Sequence, residues 1–162
     1  MLLLLQTMRK LILLAFLCLT ACTLRAQHQV PDSLLHWQYT TGKDEMTGDV
    51  FNQAVIYSPD ADPFATFGVL TKGKYITPTL HIEGGLIPSG TTLVEVKFDE
   101  NPVELFSTEP RSDDMKSLAF LSGKGVMKRI LKAHKMIIRI PVYQQGYVIL
   151  HFNVEGFKTP GV

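Results

Sequence analysis

The thiol of Cys22 has the most specific chemistry in this chain. It closes Leu19-Thr20-Ala21-Cys22, a lipobox, in which a leader is cut before the cysteine and the sulfur is acylated. The preceding residues suit that reading. Met8-Arg9-Lys10 is a short basic start, and Leu11 to Leu19 is an apolar run of signal-peptide length, too short to span a bilayer. A second processing site overlaps the first, because Leu24-Arg25-Ala26 before Gln27 fits ordinary signal-peptidase cleavage. Both routes lead out of a bacterial cytoplasm. The lipobox is the stricter pattern, so lipidation at Cys22 and a periplasmic, membrane-anchored lipoprotein are expected. The alternative is a soluble periplasmic or secreted protein. Thr23 to Gln27 contains no acidic cluster of the kind that marks surface export, which favours a periplasm-facing anchor. Charge normally precedes the apolar run, so Met8 rather than Met1 is the expected start.

Other side chains offer weaker chemistry. Asp44-Glu45 and Asp113-Asp114 are acidic pairs that could do acid–base work at a glycosidic bond. Either pair could also simply solvate a loop, and neither supplies enough oxygens for calcium. His28, His36, His81, His134 and His151 lack metal-ligand spacing, and His81 could meet His151 only if their strands paired. No metal or cofactor is expected. Gly85 to Thr92 imitates a phosphate-binding loop, but Thr91 stands where lysine is required and a strand follows, so a turn is the reading. Ser122-Gly123-Lys124-Gly125 opens a helix whose amides could hold an anion with Lys124 and Lys128, or could form a flexible start. No G-x-S-x-G elbow exists, and a dispersed Ser/His/Asp triad has nothing positive in its favour. Asp32-Ser33-Leu34 fits a bacterial O-glycosylation pattern at Ser33, with a capping serine as the plainer alternative. No catalytic residue is assigned.

Composition narrows the elements that must position these groups. Cys18 and Cys22 are the only cysteines, so no disulfide or cysteine metal site stabilises the mature domain, which depends on burial. About 136 residues follow Ala26, enough for one domain with a real core. The whole chain has 16 basic and 15 acidic residues; without Arg9, Lys10 and Arg25 it has thirteen and fifteen, a net charge of −2. That balance argues against nucleic acid as a partner. Any membrane contact would come through the lipid on Cys22.

The pattern divides the chain into a leader (1–26), a tether (27–36), a β-domain (37–157) and a short tail (158–162). Strands are expected at 37–41, 51–58, 64–70, 75–83, 93–99, 103–107, 117–121, 135–142 and 147–154. Val94, Val96 and Phe98 alternate with Glu95, Lys97 and Asp99, and Val148, Leu150, Phe152 and Val154 form the inner face of the last strand. Pro78 suggests an edge strand or an irregular strand start. Val126 to His134 reads as the one helix, with Val126, Met127, Ile130, Leu131 and His134 on its apolar face. Trp37 reads as a core anchor rather than a ligand-stacking ring. The fold class is therefore all-β, mainly an antiparallel β-sandwich, with one short helix in the C-terminal half near 125–134.

Several segments resemble a family of small exported bacterial proteins and lipoproteins, one branch of which is described as type VI secretion-associated periplasmic. They are Trp37 with Asp44 to Gly48, Val94 to Asp99, Ile130 to Lys135 leading into Ile137 to Ile140, Gln144-Gln145-Gly146, and Phe152 to Phe157. The resemblance spans most of residues 37–157. It implies a β-sandwich and an envelope location and supplies no catalytic residue. The cysteine pair of the secretion-associated branch is absent from the mature chain.

Two functions are carried forward. The first is a non-catalytic cell-envelope accessory module that contacts an envelope protein. The alternative is an envelope-polymer hydrolase using Asp44, Glu45, Asp113 or Asp114.

Overall fold

A computed structural model describes residues 30–60, 63–111 and 115–161. The expected leader with Cys22, His28, Asp113 and Asp114 lie outside the described residues.

The described residues form nine strands: β1 (Gln38–Lys43), β2 (Val50–Tyr57), β3 (Ala65–Lys72), β4 (Tyr75–Ile82), β5 (Thr92–Phe98), β6 (Glu104–Pro110), β7 (Ser117–Phe120), β8 (Lys135–Val142) and β9 (Gly146–Asn153). Among the described residues the one α-helix, α1 (Gly123–Ile130), lies between β7 and β8. All strands join one antiparallel sheet in the order β1-β2-β3-β4-β7-β6-β5-β8-β9. The first four form a meander. β5, β6 and β7 are consecutive neighbours that return to lie beside β4, which is Greek-key connectivity.

The mainly antiparallel β architecture with one short helix is as the alternation implies. Its two layers are halves of one continuous sheet that coils until its inner faces meet. Phe67 on β3 lies 6.0 Å from Phe152 on β9 and 5.9 Å from Phe120 on β7, by ring centroids. Phe106 links Phe120 to Phe98 at 6.1 and 6.4 Å. Edge-on and tilted contacts of this kind suit the aromatic quadrupole. Trp37 closes the seam where the sheet's ends approach: its indole N–H donates to the Val154 carbonyl at 3.1 Å, and its ring packs on Phe157. Trp37 is thus a structural anchor.

The expected alternation is realised on β5, where Val94, Val96 and Phe98 are 2 % exposed or less. On β9, Leu150 and Phe152 are buried, Val154 beyond it is buried as well, and Val148 is partly so. Two details differ from expectation. The helix starts at Gly123 and ends at Ile130, so Leu131 and His134 leave its apolar face and are exposed. The chain needs those residues to turn into β8, and Ala133 takes the buried place. Pro78 does not mark a sheet edge, because β4 is internal. The β4–β7 ladder covers only Thr79 to His81, so the missing N–H of Pro78 falls just beyond it, where α1 packs instead. Asp32–Leu35 forms a 3-10 turn, and Pro160 is buried with its carbonyl accepting from the Thr71 hydroxyl at 3.0 Å.

Candidate functional site

The polar residues singled out above are held by local structure. Asp44 caps its own loop, accepting from the N–H groups of Met46 and Thr47, and it meets Lys72 at 3.2 Å. Asp49 joins the same lysine at 3.1 Å. Hydrogen bonding from Thr47 holds Asp44 below its usual pKa, and Lys72 does the same for Asp49. A glycosidase acid needs the opposite shift, so neither Asp44 nor Asp49 is set up as the proton donor. Glu45 is exposed on that loop.

His81 and His151 stand apart, on β4 and β9, which do not pair. His151 meets Asp60 through both its backbone N–H (2.8 Å) and its ring Nδ1 (3.0 Å). Burial raises the Asp60 pKa, but hydrogen bonds from His151 and from the buried Ser58 hydroxyl outweigh it, leaving the group below its ordinary value. This contact ties the β2–β3 connection to the free edge of β9 and occupies one outward N–H, a protection against edge pairing.

The sequence search missed an arrangement that looks catalytic. His81 Nδ1 lies 2.9 Å from Ser117 Oγ, and Nε2 lies 2.9 Å from Glu83 Oε1. Serine, histidine and carboxylate are thus in contact. The sheet alone produces this alignment: His81 and Ser117 are cross-strand partners, and Glu83 follows His81 by two residues on the same face. The neighbouring backbone is engaged as well, since Ile82 N–H donates to Lys116 O and Arg111 N–H donates to Ser117 O. A nucleophilic serine also needs free donors aimed at a developing oxyanion. The row is a polar ladder on the outer face of β4 and β7.

At the helix start, the glycines answer to packing. A Cβ on Gly123 would lie 2.3 Å from the Ile76 carbonyl oxygen. Gly123 therefore lets α1 abut β4. The Gly85–Thr92 segment runs as a loop into β5 and packs Ile87 into the core, as a turn should. No group of three His, Cys, Asp or Glu among the described residues is placed to hold a metal. Ser33 is exposed on the 3-10 turn.

The least satisfied surface is the outer face of β6-β5-β8-β9. Cross-strand register places Leu105, Glu95, Arg139 and Ile149 in one row across the four strands. Lys97, Ile137 and His151 form the next row, and Leu93 and Tyr147 flank the first on its other side. Leu93, Val103, Leu105, Tyr147 and Ile149 are all more than half exposed. Scattered exposed apolar residues are ordinary, but a contiguous patch on one sheet face is the signature of an interaction surface. Glu95 and Arg139 form an ion pair at its centre, which keeps the arginine charged. The guanidinium also lies 5.5 Å from the Tyr147 ring centroid. Between these side chains runs a shallow depression of about 220 Å³, lined by Glu95, Lys97, Val103, Ile137, Arg139 and Ile149. Periodicity placed Glu95 and Lys97 opposite the buried face of β5 and left Ile149 off the inner face of β9. What it lacked was the strand order, which gathers them. The chain matches no family model, curated protein or solved structure with which it was compared.

Proposed function

We propose that this chain is an exported, non-catalytic interaction module of the bacterial cell envelope, held at the periplasmic membrane through Cys22. The observation that carries the reading is the half-exposed apolar face around Glu95 and Arg139. A domain stabilised by burial alone would be expected to place polar residues there, and five large apolar side chains in one patch cost solubility unless something covers them. The polar clusters elsewhere serve the fold: Asp44 and Asp49 staple a loop, Asp60 guards an edge, and Ser117 belongs to a cross-strand ladder. The leader supports the compartment, since both processing patterns require export.

The test is site-specific photo-crosslinking in cells that express the full chain. A photoreactive residue at Leu105 or Ile149 should yield discrete protein adducts, while one at the exposed Glu45 should not. Absence of adducts from both face positions, or equal adducts from Glu45, would overturn the reading.

A further inference from the structure

The central row of this face has a chemical order that suggests its occupant. Read across the strands it runs apolar, acidic, basic, apolar: Leu105, Glu95, Arg139, Ile149. The order is self-complementary on reversal. A second copy laid face to face, turned about a two-fold axis parallel to the strands and passing between β5 and β8, presents the row backwards. Leu105 then meets Ile149 of the second copy, Glu95 meets its Arg139, and the two reciprocal contacts follow by symmetry. A two-fold axis along the row would instead set Glu95 on Glu95 and Arg139 on Arg139, a costly like-charge arrangement. The charges thus select the axis. In the flanking rows the same operation sets Tyr147 against Ser107 and Lys97 against Ile137 of the second copy. It sets Leu93 against Pro141 of the second copy and Val103 close to its His151. Isologous pairing of one patch with itself is the commonest way soluble chains associate, and aligned sheets pack naturally face to face.

We infer that the occupant of this face is a second copy of the chain, forming a symmetric dimer by sheet-on-sheet packing across the Glu95–Arg139 row. The inference rests on the interaction reading above and names its partner. The central ion pair would then be shared crosswise, each arginine reaching the carboxylates of both copies, while the apolar ends exclude water from it.

The experiment uses the processed full chain in a density-matched detergent, so that the lipid is accommodated, and sedimentation equilibrium. The wild type should be dimeric at concentrations of about 10–100 µM. Leu105→Lys and Ile149→Asp should each weaken association about 100-fold or more, because the axis repeats every substitution twice. Mixing the two variants should restore a heterodimer, since the introduced lysine of one chain then faces the introduced aspartate of the other and the remaining Leu105–Ile149 contact is native. Circular dichroism checks that each variant is folded. Leu105→Ser and Ile149→Thr, milder at half-exposed strand positions, replace any that is not in the single-variant measurement, and the mixing arm is read only with the charged pair. A monomeric wild type, a dimer indifferent to both substitutions, or a mixture that stays dissociated would overturn the inference. Photo-crosslinks from Leu105 solely to other proteins would overturn it too, while leaving the interaction reading intact. Loss of all adducts would remove both.

Discussion

Replacing Phe67 by alanine tests the seam on which this fold depends. The ring is fully buried and lies within 6.4 Å, centroid to centroid, of Trp37, Phe120 and Phe152. Deleting a buried phenylalanine costs about 3–5 kcal/mol, more where the surroundings cannot collapse into the gap. Here three of the neighbours are rigid rings on different segments, so the upper part of that range, about 4–5 kcal/mol, is expected. A domain of this length is stable by about 7–15 kcal/mol, so the variant should fold while losing a large fraction of its stability. With a urea slope of about 2 kcal/mol per M, the midpoint should fall by about 2 M at unchanged slope. Trp37 is the only tryptophan and sits at the same seam, so its fluorescence reports the transition directly. A sharper measurement asks whether β3 and β9 face each other at all. Phe67→Leu and Phe152→Leu, singly and together, form a double-mutant cycle with an expected coupling of about 0.5–1.5 kcal/mol. Strict additivity, or a Phe67→Ala midpoint within about 0.5 M of wild type, would show that the halves of the sheet do not close on one another.

Asp60→Ala should cost about 1–3 kcal/mol, because it strips the acceptor from the His151 N–H and from the buried Ser58 hydroxyl. Asp60's folded pKa is lowered from 3.8, so its contribution is fully present above that value and is lost as pH falls through the lowered one. Acid titrations of stability should therefore lose that component in the variant, and parallel wild-type and variant curves would contradict the assignment. Gly123→Ala should destabilise by about 1–3 kcal/mol, since the new Cβ would meet the Ile76 carbonyl, a backbone atom that cannot swing aside; the exposed neighbour Lys124→Ala should change little. Thermal melts of the two variants separate packing from helix propensity. Cys22→Ser should release the protein from the membrane fraction or block its maturation, because acyl chains supply the anchor. An unmodified intact mass beginning at Gln27 or His28 in the wild type would refute lipidation and leave a soluble exported domain.

Local chemistry was enough to read much of this protein from its sequence. Period-two alternation marks β5 and β9 without reference to any other segment, since each pleat sends neighbours to opposite faces. Proline and glycine punctuate the strands where φ or a missing N–H forbids continuation. The expected leader and the expected motif at Ser33 rest on local patterns of the same kind, and the acidic pair Asp44-Glu45 is read onto a loop in the same way. The boundary of α1 was less legible: the apolar spacing of Val126, Met127 and Ile130 runs on to Leu131 and His134, and only the turn into β8 takes those two off the face.

Strand order was decided elsewhere. Nothing within β5 states that it pairs with β8 rather than β4, because backbone hydrogen bonds are the same for any partner, and the choice follows from burying both inner faces at once. That choice makes β4 internal despite Pro78, with the helix covering the position the ladder leaves. It brings His81 to Ser117 and His151 to Asp60, and it keeps the two histidines apart. It also gathers Leu105, Glu95, Arg139 and Ile149 from four strands into one row. Each of these residues looks like an ordinary solvent-side position when its own strand is read alone. A surface patch is a property of register between strands, so the face proposed as the site exists only once the sheet has formed.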